Sequence, residues 1–326
     1  MKNRIVLTLL VLTSISCFAS NNKEVSADRP FIINETSKSI TYIDKFNNET
    51  VITKKPKRVV IVYNSILGLW YYTGGSSLTK VKGTTNVPPE AQDLLDLGPA
   101  NSVSLEAIIA QEPDLVILAA NYEMHVSMAP LLKEMGIEVM IIDTSINSYE
   151  RFKENTLLFS KINGTEDMYE SKVSNVINSV ESTIAKVSDV KERPKVAAIF
   201  ATRRSLSLES DIALTGEMVS LLGGYNIIDG EKLLVKGETR ISFSIEALIT
   251  QNPDIILIST MGDVNSVKEN IENMIAENPV WNEVNAVKNG RVHFLPKQFS
   301  VYKPNELYGD AFLYIAELMY PDIFGL

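Results

Sequence analysis

One fifteen-residue phrase is written twice in this chain. Ser104 to Leu118 reads SLEAIIAQEPDLVIL and Ser244 to Ile258 reads SIEALITQNPDIILI, with seven positions identical and six more trading one aliphatic residue for another. Only Ala110/Thr250 and Glu112/Asn252 differ in kind. The copies stand 140 residues apart, far beyond the roughly 20–50-residue period of a solenoid. The chain therefore contains two copies of one domain-sized unit. Two matching lobes leave a cleft between them, and such clefts are preferred ligand sites.

The phrase has a local logic. Ser104 and Ser244 are good N-caps, and each opens a short helix with apolar residues on one face (Leu105, Ile108 and Ile109; Ile245, Leu248 and Ile249). Pro113-Asp114 and Pro253-Asp254 end the helices, and the aliphatic runs that follow suit buried parallel strands. Other landmarks recur in the same order. Pro56-Lys57 and Pro194-Lys195 precede the strands RVVIVY and VAAIFA, and Gly74-Gly75 and Gly223-Gly224 close the helices after them. Ala129 to Gly136 reads as a helix and Glu138 to Ile142 as the next strand. The expected class is α/β, with two Rossmann-like lobes whose sheets are mainly parallel.

Between the lobes, Tyr149 to Ile162 reads as a helix broken at Asn163-Gly164. Thr165 is placed to cap a second helix carrying Met168, Val173, Val176, Ile177, Val180, Ile184 and Val187 at three-and-four spacing. A helix of ~20 residues spans ~30 Å, enough to cross the back of both lobes, so the link is stiff. Before the first lobe, Ser39 to Pro56 reads as a hairpin about Asn47-Asn48. The division expected is a signal peptide over 1–19, a polar tether over 20–38, a first α/β lobe over 39–148, linking helices over 149–190 and a second lobe over 191–326.

The signal peptide rests on Lys2 and Arg4, the apolar run Ile5 to Leu12 and the small residues after it. It is too short for a membrane span, so the protein is expected to be exported, to a periplasm or cell envelope. Cys17 is the only cysteine and ends the apolar run. It is either the acylated residue of a lipoprotein signal, with Ile15 and Ser16 in place but Ser14 where Leu is usual, or part of a segment cleaved after Ala19. In both cases the body has no disulfide. A net charge of -9 argues against nucleic acid.

The hairpin running into KPKRVVIVYNS, the paired S-x-E phrases with their PD endings, the middle helix and NPVWNEVNAVKNGRVHFLP (Asn278 to Pro296) together resemble the periplasmic-binding family for iron complexes and vitamin B12, the substrate-binding proteins of ABC importers. The resemblance covers about residues 39 to 320. It implies a clamshell joined by a single long helix, a monomer that holds a small-molecule metal chelate in the cleft and docks onto a membrane permease. It also implies that a surface glutamate on each lobe meets the permease, at Glu106 and Glu246 here. A helix-start carboxylate favoured by the helix dipole explains one of these equally well.

Cleft loops follow the buried strands, and their ligand-binding candidates are Tyr63, Asn64, Tyr122, Arg203, Arg204, Arg240 and Tyr302. Aromatic rings offer flat area to a large ligand, and arginines offer forked donors to carboxylate or catecholate oxygens. Arg203-Arg204 in an acidic protein suits an anionic ferric siderophore, but a solvated pair, or one bonded to Glu209 and Asp211, reads equally from the sequence. Met124 and His125 are the candidates if the ligand is haem. With two histidines in the chain, a bare metal site of several imidazoles is not expected. No cofactor is expected either; iron enters only as part of the ligand. Cobalamin, haem and an oxyanion remain as alternative ligands. A two-lobed α/β enzyme is the remote alternative, and the chain lacks G-x-G-x-x-G, the phosphate-binding loop and G-x-S-x-G.

Overall fold

The computed structural model describes residues 31–143, 145–228, 238–277 and 279–325. The signal peptide and Cys17 lie outside the described residues. The described part opens with an antiparallel sheet of β1 (Ile32–Glu35), β2 (Ser39–Ile43) and β3 (Glu49–Thr53). Asn47 takes a positive φ in the turn, and Ile40, Tyr42 and Ile52 are buried while Val51 faces out. The expected tether to residue 38 is thus shorter: Ile32–Glu35 pairs with β2 in an irregular register. Two adjacent isoleucines were too short a run to show strand periodicity.

In the first lobe β4 (Val59–Ile61) leads into α1 (Asn64–Tyr72), followed by a short parallel pair, β5 (Thr79–Lys80) and β6 (Leu95–Asp96). Then come α2 (Leu105–Ile109), β7 (Leu115–Ala119), α3 (Glu123–Glu134) and β8 (Glu138–Ile142). The parallel sheet has β7 between β4 and β8. α3 begins six residues before the expected Ala129 and runs through Pro130.

α4 (Ser148–Asn163) ends on Gly164 in the left-handed conformation. A second helical run follows: α5 (Glu166–Met168), a π turn over Tyr169–Val173, and α6 (Ser174–Val187). Thr165 does not cap it; its hydroxyl donates to the Thr73 carbonyl at 2.6 Å. The connection is thus two helical runs divided at Gly164, where the sequence places the break.

The second lobe contains β9 (Lys195–Ala201), β10 (Leu206–Glu209), α7 (Leu214–Leu221), β11 (Tyr225–Asn226), β12 (Arg240–Ser242), α8 (Ile245–Gln251) and β13 (Ile255–Thr260). It continues with α9 (Val264–Glu277), α10 (Asn285–Lys288), β14 (Val292–Phe294), α11 (Lys297–Ser300) and α12 (Tyr308–Met319). The strand order is β12-β10-β9-β13-β14, with β11 also beside β9. β9, β11, β13 and β14 are parallel, and β10 is antiparallel to both β9 and β12.

The repeat holds at the level of single hydrogen bonds. Ser104 Oγ accepts the Ala107 amide at 3.1 Å and Ser244 Oγ accepts that of Ala247 at 3.2 Å. Glu112 and Asn252 both take positive φ, 47° and 45°. The PD aspartates do more than follow a helix end. Asp114 accepts the amides of Lys57 and Arg58 at 2.6 and 2.9 Å, and Asp254 accepts that of Lys195 at 2.9 Å. Each aspartate thereby pins the start of the neighbouring strand.

Alternation along the central strands separates three cores. Leu115, Ile117 and Ala119 of β7 share one apolar cluster with Ile255 and Leu257 of β13, and with residues of α1, α4, α6, α7 and α12. Val116 and Leu118 face a core private to the first lobe, and Ile256 and Ile258 one private to the second. The helices in the shared layer pack closely. A Cβ added to Gly309 of α12 would lie 2.7 Å from Ser179 Oγ and 3.0 Å from Ser179 Cβ of α6.

Candidate functional site

The parallel strands end where the chain carries its candidate groups. Tyr63 follows β4 and Tyr122 follows β7, and their rings meet edge-on at 5.8 Å between centroids. Burial, then the neighbouring Tyr122, raises the Tyr63 hydroxyl above its usual pKa, against hydrogen bonds with Ser65 and Asn121. Asn64 is committed elsewhere: its side chain donates to the Val81 carbonyl at 3.0 Å and accepts the Val81 amide at 3.1 Å. That pairing fixes the turn after β4 and removes Asn64 as a free ligand group.

Met124 and His125 lie in the first turn of α3 and not in a loop. Met124 is partly buried against the first-lobe core. His125 is fully buried, with Nδ1 accepting the Ala119 amide at 3.2 Å and Nε2 2.7 Å from the Ala100 carbonyl. A carbonyl can only accept, so Nε2 carries the proton and neither nitrogen is free for iron. Burial, opposed by those two backbone bonds, lowers its pKa.

In the second lobe Arg203 and Arg204 form the exposed tip of the β9–β10 hairpin, where Thr202 Oγ1 accepts the amides of Arg204 and Ser205 at 3.2 and 3.0 Å. Among the described residues they have no ion-pair partner; Glu209 is taken by Arg240. Arg240 Nε and Nη2 reach the same oxygen, Oε1 of Glu209, at 3.1 and 2.9 Å, and its guanidinium carbon lies 3.6 Å from the Phe200 ring centroid. Glu209 is fully buried, whereas 40% of the Arg240 side chain is exposed. The arginine is thus held flat on an aromatic face with one edge open.

A cavity of about 230 Å³ joins the two lobes here, lined by Ser145 just after β8 and by Leu214, Thr239, Arg240, Ser300 and Lys303 from the other side. Tyr302 is partly exposed between two of its lining residues, Val301 and Lys303. A larger hollow, about 570 Å³, is lined by Tyr71 and Tyr72 of α1, residues 86–90, Met168, Lys172 and Asn305, and none of the seven ligand-binding candidates above lines it.

The cavity floor is ionic. Lys303 Nζ lies 2.6 Å from Ser148 Oγ, at the start of α4. Burial lowers Lys303 to about 8, against the pull of Glu217, Glu209 and Asp143. Glu217 of α7 is buried, and burial raises it to about 7 although it accepts the amides of Tyr149, Glu150 and Ser148. Burial also pushes Asp143 up, but the bonds from Ser145 and the Lys45 ammonium, 3.2 Å away, outweigh it and hold the carboxyl below its usual value. Lys303, Ser145, Thr239 and Ser300 were not candidates from sequence. A lone lysine in VYKPN has no local pattern that distinguishes it from a surface residue.

Glu106 and Glu246 are both exposed at the second position of their Ser-capped helices. The helix-start amide of Glu246 itself, and then the Ser244 hydroxyl donating to its carboxylate at 2.9 Å, lower that carboxyl's pKa.

A model of the periplasmic binding protein family matches residues 59–299, so the chain belongs to that family. It is 26% identical over 294 residues to the high-affinity heme uptake system protein IsdE of Staphylococcus aureus, covering 89% of this chain and 87% of that one. The fold matches the S. aureus IsdE structure with haem (20% identity, 81% of this chain and 98% of that one, TM-score 0.67). It also matches an ABC transporter substrate-binding protein of Listeria monocytogenes EGD-e (20%, 82% and 100%, TM-score 0.68). The periplasmic vitamin B12 binding protein BtuF of Vibrio cholerae aligns similarly (16%, 83% and 99%, TM-score 0.65). Among the described residues no helix is long and apolar enough to cross a membrane.

Proposed function

We propose that this chain is the exported substrate-binding protein of an ABC importer, which takes an anionic ferric siderophore into the inter-lobe cleft and delivers it to a membrane permease. It acts as a monomer, lipid-anchored through Cys17 or free after cleavage behind it. The observation that carries the ligand reading is Arg240, stacked on Phe200, fixed by Glu209 and open along one edge at the cavity between the lobes. A guanidinium set in that way offers forked donors to acidic oxygens. Tyr63 and Tyr122, paired edge-on after β4 and β7, are the aromatic candidates, and Arg203 and Arg204 at the exposed hairpin tip are the further cationic ones. The matched exposure of Glu106 and Glu246 supports permease docking.

The likeness to the S. aureus haem uptake protein favours haem as the second reading. The two residues singled out for haem iron, Met124 and His125, are committed to the core, which favours the chelate over iron ligation by this pair.

The test is a visible spectrum and native mass of the protein lacking its leader, before and after adding ferric siderophores, hemin and cobalamin. A ferric charge-transfer band with a matching mass shift is expected. A Soret band or a bound corrinoid instead replaces the siderophore; no shift with any of the three sends the search to oxyanions.

A further inference from the structure

We infer that Lys303 is the second cation of the anion subsite and the residue through which a bound ligand acts on the junction between the lobes. The inference rests on the reading of the cleft as a site for an anionic chelate.

Lys303 and Arg240 line the same cavity, so two cations converge on one space with the hydroxyl residues Ser145, Thr239 and Ser300 around it. The acids that face Lys303 are Glu217, Glu209 and Asp143. Glu217 is engaged by the α4 amides and Asp143 by Lys45 and Ser145, while Glu209 gives Oε1 to Arg240 and keeps Oε2 buried without a partner. Among the described residues no carboxylate forms an ion pair with Lys303, and the one bond given to its ammonium goes to a neutral hydroxyl, Ser148 Oγ, at 2.6 Å. A partly buried ammonium without a close anion is costly, and it has three donors to satisfy. An acidic oxygen of the ligand, carboxylate or catecholate, is the group that completes it.

Ser148 gives the second half of the inference. It opens α4, whose first amides are held by Glu217 from the second lobe, while the Asn147 amide donates to the Ile212 carbonyl at 3.0 Å. Asn86 reaches the Lys303 carbonyl at 3.4 Å and Asn305 the Ser65 carbonyl at 3.3 Å, so the loop that carries Lys303 is also tied to the first lobe. An anion that draws the ammonium from Ser148 changes a bond at the point where the lobes meet. The lowered pKa of Lys303, about 8, makes the effect readable by pH.

The experiment titrates the leaderless protein, its Lys303→Met and its Lys303→Arg forms with a ferric tris-catecholate, ferric citrate and inorganic phosphate at about pH 7.5 and about pH 9.5. Expected are chelate binding roughly ten- to a hundredfold weaker in Lys303→Met at the lower pH, and a loss of about tenfold in the wild type on going to the higher pH as the ammonium loses its proton. Lys303→Arg keeps its affinity across that range. Should Lys303→Met fail to fold, the contrast between wild type and Lys303→Arg remains decisive. Chelate affinity unchanged in Lys303→Met, or equally pH-dependent in Lys303→Arg, overturns this inference and leaves the proposed function standing. No binding of any probe to the wild type overturns the chelate reading and the inference with it. Lys303-dependent binding of phosphate alone upholds the subsite and overturns the chelate as its ligand.

Discussion

The carboxylate of Glu217 lies 3.1 and 3.2 Å from the backbone nitrogen of Tyr149, so a side chain of the second lobe caps the helix that leaves the first. The residue at the usual capping position, Asn147, is left-handed and makes no side-chain cap. Helix-start amides and the helix dipole both favour an acceptor there. The same acid is buried, and burial raises it from 4.5 to about 7.

That raised pKa sets a sign. Up to about pH 7 folded Glu217 keeps a proton that the unfolded chain releases near 4.5. The stability from this proton is complete below the lower value and is lost as pH rises through the upper one. Measured as unfolding free energy by urea titration from about pH 5 to about pH 8, the wild type should fall relative to Glu217→Gln by roughly 1–3 kcal/mol. Parallel curves would show that Glu217 does not titrate in this window.

Glu106 and Glu246 sit on the same turn of equivalent helices and are exposed on both. Replacing both with Ala should abolish ligand uptake by cells while the purified protein binds with unchanged affinity. The double variant should unfold at close to the wild-type urea midpoint, because both side chains are exposed. A parallel fall in affinity would assign the pair to folding or to the pocket.

Gly309 and Ser179 bring α12 and α6 so close that a Cβ at 309 would force the Ser179 side chain to shift. Gly309→Ala should destabilise the protein by roughly 1–3 kcal/mol, as overpacking does. Adding Ser179→Gly should restore part of the loss, and urea unfolding of the four forms gives the coupling. Independent effects of the two changes would place the strain elsewhere.

The repeat made most of the architecture legible. Ser104 and Ser244, the PD aspartates and the glycines at 74 and 223 each leave a local signature, and each stands where its chemistry predicts. Strands β7 and β8 begin and end as their patterns indicated. Features made by distant partners were not legible. Arg203-Arg204 follows a strand as a cleft loop would, but four residues return as antiparallel β10, which LSLE is too short to announce. Glu217 and Lys303 have opposite charges in separate segments, and only the folded chain puts them near Ser148. Asn64 resembled a ligand group because its bond to Val81 spans 17 residues.

The apolar layer that takes Leu115 from one sheet and Leu257 from the other has a mechanical consequence. Prising the lobes widely apart would wet side chains from both at once, at about 1.5–3 kcal/mol for each large one exposed. The molecule is then closer to a stiff spring than to a door. Cargo exchange falls to elastic give at the strand ends, and whatever empties the cleft must lever its rim rather than wait for it to swing.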